Sequence, residues 1–143
     1  MQEMSANDLK WSHECTFPSS MDTAHEIIDK IVAEIEQRHW SSKDRFAVQM
    51  ALEEAFVNAV MHGNQFDPSK IVRFSCELTD SRFVFRVEDE GAGFDPHNIP
   101  NPTDEEHILV ASGRGVLLIK SFVTNVVWND KGNIITVEKV RSD

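Results

Sequence analysis

Three short stretches of this 143-residue chain combine residue types and spacings that could do chemistry. The first is Glu54-x-x-x-Asn58, with His62 four residues further on. Residues four apart share one face of a helix, so the three would form a polar ridge on an otherwise apolar rod. A carboxylate there could act as a general base. The amide oxygen beside it could ligate Mg²⁺, a hard cation that takes oxygen donors. Taken alone, this spacing is equally that of core polar groups satisfied by the backbone, which is the commoner case. Glu53 falls near Phe46, Met50 and Val57 on a helical wheel; it could be the partner of a basic group, and it is the rival candidate for the base.

The second stretch is Asp89-Glu90-Gly91-Ala92-Gly93, directly after a strand-like run. Alternate glycines let the backbone turn sharply and approach a ligand closely. A carboxylate at a strand end can accept a hydrogen bond from an exocyclic amine. The third is Gly113-Arg114-Gly115, opening a short apolar segment of helical character, Val116 to Phe122. Free N–H groups at a helix N-terminus suit phosphate, and an arginine beside them adds charge-assisted hydrogen bonds. The plain alternatives are an acidic tight turn and a loop hinge. The P-loop pattern G-x-x-x-x-G-K-S/T is missing, as are a G-x-S-x-G elbow and any Cys–His cluster; the six histidines have no zinc-ligand spacing.

The elements that must position these stretches follow from periodicity. Leu9 to Phe17 alternates and reads as a half-buried strand, broken by Pro18-Ser19-Ser20. Ser20 can cap a helix whose apolar stripe is Ala24, Ile27, Ile28, Ile31, Val32 and Ile35. Ser41 to Asp44 is a second cap, and the helix after it runs from about Asp44 to His62 and stops at Gly63-Asn64. From Ala51 to His62 its only polar residues are Glu53, Glu54, Asn58 and His62, so it is a central, buried helix. Ile71 to Leu78 and Phe83 to Asp89 alternate as a hairpin around Thr79-Asp80-Ser81, and Val123 to Trp128 and Ile134 to Val140 form two more strands around Asn129 to Asn133. Between the two strand pairs lies a long Gly-, Pro- and acid-rich segment, Glu90 to Ser112, of a length that marks a functional lid or a linker. Strands paired as hairpins with helices gathered on one face predict an α+β, two-layer α/β sandwich in a single domain spanning 1–143.

Composition narrows the partners. Fourteen basic and 24 acidic residues give a net charge of −10, which disfavours nucleic acid. Glu88 to Glu106 alone carries seven acids and no Lys or Arg, either a solvated run or a place that handles a cation. Two cysteines, Cys15 and Cys76, make no disulfide framework. With neither a signal-peptide pattern nor an apolar run of membrane-spanning length, a reduced cytoplasmic protein without membrane contact is expected.

The order of the stretches is more specific than any one of them: acidic–amide helix, strand ending in Asp-x-Gly-x-Gly, long lid, Gly-x-Gly opening a helix. In this the chain resembles the ATP-binding domain of the GHKL superfamily (the Bergerat fold), and within it the small stand-alone anti-sigma-factor serine/threonine kinases of bacteria. The resemblance covers about the whole chain and is carried by Glu53 to Gly63, Val87 to Phe94 and Ser112 to Val116. It implies a mixed, largely antiparallel sheet with helices on one face and a lid at about 94–112. It also implies roles: Glu54 as the base that accepts the serine proton, Asn58 as the ligand of Mg²⁺ bridging the ATP phosphates, and Asp89 as acceptor for the adenine amino group. Gly91 and Gly93 would shape the adenine pocket, while Gly113, Arg114 and Gly115 would cradle phosphates and hinge the lid. The implied reaction is phosphoryl transfer from ATP to a serine of a STAS-domain anti-anti-sigma protein, alternating with capture of a sigma factor in partner switching. Homodimers are common in that family. The chain has no dimerisation helix with a phospho-acceptor histidine and no transducer domain, which argues against a complete histidine kinase or a gyrase-type ATPase. It departs from relatives in one respect: Met21 to Asp29 has no Arg or Lys, where relatives can use a basic residue to meet partners. The rival readings are a non-catalytic ATP-binding adaptor or anti-sigma module, and an α/β scaffold without a nucleotide.

Overall fold

A computed structural model describes residues 9–91 and 122–142. The chain opens with strand β1 (Trp11–Pro18) and turns into helix α1 (Met21–Gln37). The Ser20 hydroxyl caps α1 by accepting from the Thr23 N–H at 3.4 Å, and Ala24, Ile27, Ile28, Ile31 and Ile35 form its buried stripe. Helix α2 (Ser42–Val57) is capped by Ser41, which accepts from the Asp44 N–H at 3.1 Å. The hairpin β2 (Ile71–Leu78) and β3 (Arg82–Glu88) follows, and then β4 (Asn125–Trp128) and β5 (Ile134–Val140).

The five strands form one sheet in the order β1-β2-β3-β5-β4, with every described pairing antiparallel. The two-residue period of a strand sends alternate side chains to opposite faces. One face therefore collects Phe17, Val72, Phe74, Cys76, Leu78, Phe83, Phe85, Val87, Ile135 and Val137 against the apolar sides of α1 and α2. Phe56 of α2 lies 5.7 Å from Phe17 and 5.2 Å from Phe74, centroid to centroid, fixing this part of the helix over β1 and β2. This is the α+β two-layer architecture expected from the sequence. The lid and the helix from Val116 fall outside the described residues, Phe122 excepted.

One expectation needs correction. The long helix predicted from Asp44 to His62 begins earlier, at Ser42, and keeps α-geometry only to Val57. Asn58–Gly63 is a π-helical turn, closed by the Asn64 N–H donating to the Ala59 carbonyl at 2.8 Å. Such wide turns recur at functional sites. The chain then reverses through Gln65 and Phe66, both left-handed (φ 52° and 57°). β2 and β5 have the predicted bounds, while β1, β3 and β4 begin or end one or two residues away, as β4 does at Asn125.

The C-terminal tail is pinned to the start of α2. Asp44 is 1% exposed and accepts from the Ser142 N–H (2.9 Å) and hydroxyl (2.7 Å), with Lys139 at 3.5 Å. Burial alone would raise its carboxyl, but the two Ser142 hydrogen bonds and Lys139 outweigh it and hold the pKa below the ordinary range. Both cysteines are free, and burial pushes the Cys76 thiol up to about 12, so it is an inert core group.

Candidate functional site

The end of α2, the π-turn, the end of β3 and the β4–β5 turn enclose a pocket of about 190 Å³. Its helical wall is Ala55, Asn58, Ala59, His62 and Gly63. Ala55, Ala59 and Gly63 recur every four residues, and their small side chains leave the space that the pocket occupies. The opposite wall is Val87 and Asp89 from β3, Trp128 from β4, and Gly132, Asn133 and Ile135 from the turn and β5. The result is an apolar slot with a carboxylate and an amide among its walls, suited to a flat ring that carries an amino group.

Asp89 is held from several sides. Its N–H donates to the Asn133 carbonyl at 2.9 Å, and the Asn133 Nδ2 donates back to the Asp89 carbonyl at 3.1 Å. Its Oδ1 accepts from the Gly91 N–H at 2.8 Å. Asp89 is only 9% exposed, and burial raises its pKa; the Gly91 hydrogen bond and Lys131 oppose that rise without cancelling it. Two glycines make this fit possible. A Cβ on Gly63 would stand 2.4 Å from the Asp89 carboxyl carbon, and one on Gly91 would stand 2.0 Å from the Gly63 carbonyl oxygen. The backbone of the π-turn therefore lies directly against the Asp89–Gly91 turn, which only glycine permits at both points.

Asn58 opens the π-turn. Its side-chain oxygen is buried and has no hydrogen-bond partner among the described residues. A buried, unsatisfied carbonyl oxygen is costly unless a ligand completes it. It is also a hard donor, and it belongs to a residue of the pocket wall. No group of three or more His, Cys, Asp and Glu among the described residues could hold a metal by itself. Mg²⁺, however, needs few protein ligands, since substrate phosphates and several waters fill most of its shell, and an amide oxygen is a hard donor of the kind it takes. The residues present thus fit that ion.

Of the other residues singled out in the sequence, Gly91 stands behind Gly63 rather than in the pocket wall. Glu54 is half-buried one helical turn before Asn58, and neither it nor Glu53 lines the pocket. Glu53 instead reaches α1, where its carboxylate meets His25 Nε2 at 3.0 Å, and that hydrogen bond raises the pKa of His25. Glu53 thus has a basic group as its partner, which is one of its two sequence readings. His62, the end of the expected ridge, does line the pocket, and burial lowers its pKa. Gly93, Gly113, Arg114 and Gly115 lie outside the described residues. Sequence reading passed over Gly63 and Asn133 as a helix stop and a turn residue, and gave Trp128 no role beyond a strand end. The four-residue recurrence of Ala55, Ala59 and Gly63 was the signal available for the helical wall.

Comparison with known proteins identifies the family. A family model described as the histidine kinase-like ATPase domain matches residues 17–139. An anti-sigma F factor of Clostridium perfringens (strain ATCC 13124) is 28% identical over 99 residues, which cover 64% of this chain and 69% of the relative. Anti-sigma F factors of Geobacillus thermodenitrificans and Geobacillus stearothermophilus are 31% and 30% identical over 98 and 99 residues, covering 64% of this chain and 66% of each relative. With most of its length matched by that model and its site at the junction of helix, sheet and glycine turn, the chain belongs to the histidine kinase-like ATPase domain family.

Proposed function

We propose that this protein is an anti-sigma regulatory factor that binds ATP with Mg²⁺ and acts as a serine/threonine kinase on a STAS-domain anti-anti-sigma protein. The relatives' name, anti-sigma F factor, supports the regulatory half of the reading. The observation that carries the nucleotide half is one pocket lined by the Asp89 carboxylate and by Asn58, whose buried oxygen is unsatisfied.

In this reading the adenine ring lies between the apolar walls, Val87 and Ile135 among them, and donates its 6-amino hydrogen to Asp89. Asn58 would hold Mg²⁺, which when bound neutralises charge on the phosphates. Gly93 shapes the adenine pocket beside Gly91, and Gly113, Arg114 and Gly115 meet the phosphates. Glu54 takes the proton of the attacking serine. Glu53 faces α1, where it meets His25 at 3.0 Å, whereas Glu54 precedes Asn58 by one helical turn, and that placement favours Glu54 for the task. A sigma factor is the second partner, and the α1 front that would meet it presents His25 in place of Arg or Lys.

The test is phosphotransfer from labelled ATP, with Mg²⁺, to purified STAS-domain proteins from the same genome. Phosphoserine on one of them is the expected result; its absence from all of them counts against the kinase. One observation favours a second reading, a nucleotide-gated anti-sigma module without transfer: Glu54 stands outside the pocket wall. ATP-dependent sigma binding with no phosphoserine would favour that reading.

A further inference from the structure

A heavily bonded polar side chain beside the pocket is not one of its walls. Asn64, fully buried, follows the π-turn. Its Nδ2 donates to the Ile71 carbonyl at 2.9 Å and to the Ser19 hydroxyl at 3.0 Å, and its Oδ1 accepts from the Glu90 N–H at 2.7 Å. The Glu90 carboxylate in turn accepts from the Ile71 N–H at 2.7 Å. Asn64, Glu90 and Ile71 therefore close a ring of three hydrogen bonds. It ties the residue between Asp89 and Gly91 to the first residue of β2 and to the end of the π-turn. The Asn64 N–H, donating to Ala59, closes that same π-turn, whose first residue is Asn58.

Resting on the nucleotide reading above, we infer that Asn64 is a positioning residue for base recognition. Its carboxamide sets the Asp89–Glu90–Gly91 turn at a fixed distance from the turn that bears Asn58, so that the carboxylate facing the adenine amino group is held in place. Both ends of the amide are needed. Two donors face a carbonyl and a hydroxyl, and one acceptor faces an N–H; aspartate at this position would lose the donors and set an oxygen against the Ile71 carbonyl. The left-handed pair Gln65 and Phe66, directly after it, is a strained reversal of the kind that persists only where surrounding bonds over-determine it. Asn133 grips the Asp89 backbone from the other side, so the acceptor carboxylate sits between two asparagine anchors.

A merely structural asparagine would change stability and weaken all nucleotides alike. A positioning asparagine changes the choice between bases. The experiment is calorimetric titration of the full chain, and of Asn64→Ala and Asn64→Asp, with ATP and with ITP in excess Mg²⁺, well below each melting temperature. ITP carries a 6-oxo group where ATP carries the amino donor. The wild type is expected to prefer ATP. Either variant should lose on the order of ten-fold in that preference, because a misplaced contact group costs selectively. Glu90→Ala opens the same ring at an exposed bond and should reduce the preference several-fold, which keeps the inference testable if the Asn64 variants do not fold. A folded variant set with an unchanged ATP-to-ITP ratio overturns the inference and leaves the nucleotide reading standing. A wild type that binds neither nucleotide, or both equally, overturns that reading itself and the inference with it.

Discussion

Replacing Gly63 with alanine would set one methyl group against the Asp89 carboxylate. The added carbon would lie 2.4 Å from the carboxyl carbon and from one oxygen, and 2.6 Å from the other. Ordinary contact begins about 1 Å further out, so the carboxylate has to move by about that much. Such a shift breaks the 2.8 Å hydrogen bond from the Gly91 N–H and displaces the acceptor proposed for the adenine amino group. A lost hydrogen bond to a charged group is worth about 1.5–3 kcal/mol, or about ten- to a hundred-fold in ATP affinity. Stability should suffer less than binding, because alanine in a helical turn gains up to about 1 kcal/mol over glycine and offsets part of the crowding. Gly91→Ala is the contrasting case. Its methyl would meet the Gly63 backbone, which cannot swing aside as a side chain can, and melting temperature should fall along with affinity. The assay is titration with ATP and Mg²⁺ next to a thermal melt. A Gly63→Ala protein that binds ATP within about two-fold of wild type would refute the placement of Asp89 at the base.

Other perturbations address separate parts of the site. Glu54→Gln should keep ATP binding and lose transfer, since an amide cannot accept the proton; if Glu53→Gln abolishes transfer and Glu54→Gln does not, the base is Glu53. Asn58→Ala should remove the Mg²⁺ dependence of ATP binding, read by titration with and without chelator. The raised pKa of Asp89 means that protonation removes the negative charge of the acceptor at a pH above the ordinary aspartate value of about 3.9, so ATP affinity should fall on acidification from that higher pH, and Asp89→Asn should flatten the profile. Asp44 has the opposite sign. Its depressed pKa contributes stability that is fully present above the ordinary value and lost as pH falls through the folded value below it. Asp44→Ala should therefore cost about 3 kcal/mol at neutral pH, with the gap to wild type closing in strong acid, as read by denaturant melts across pH.

Much of the framework is legible in the sequence because burial imposes a period. Val72, Phe74, Cys76 and Leu78 alternate, and Ala24 to Ile35 recur at helical spacing, since each element offers one face to a single core. The caps Ser20 and Ser41 are local and equally readable. The π-turn is not, because the run Ala59-Val60-Met61-His62 has the same apolar pattern in either kind of helix. Contacts from distant segments accompany it: the Asn64 side chain meets Glu90, 26 residues away, and Ser19, 45 residues away. Gly63 is invisible for the same reason, since its need for hydrogen in place of a side chain comes from Asp89 across the fold. Asp89 and Asn58 stood out because their own neighbours made a motif. Glu54 stood out likewise, yet its motif does not bring it into the pocket wall.

The most direct test of the nucleotide site is titration of the full wild-type chain with ATP, once with Mg²⁺ and once with chelator. Saturable one-to-one binding that weakens when Mg²⁺ is removed is the expected result. No binding under either condition, or binding indifferent to the metal, would contradict a site in which Asn58 and Asp89 hold the two ends of one nucleotide.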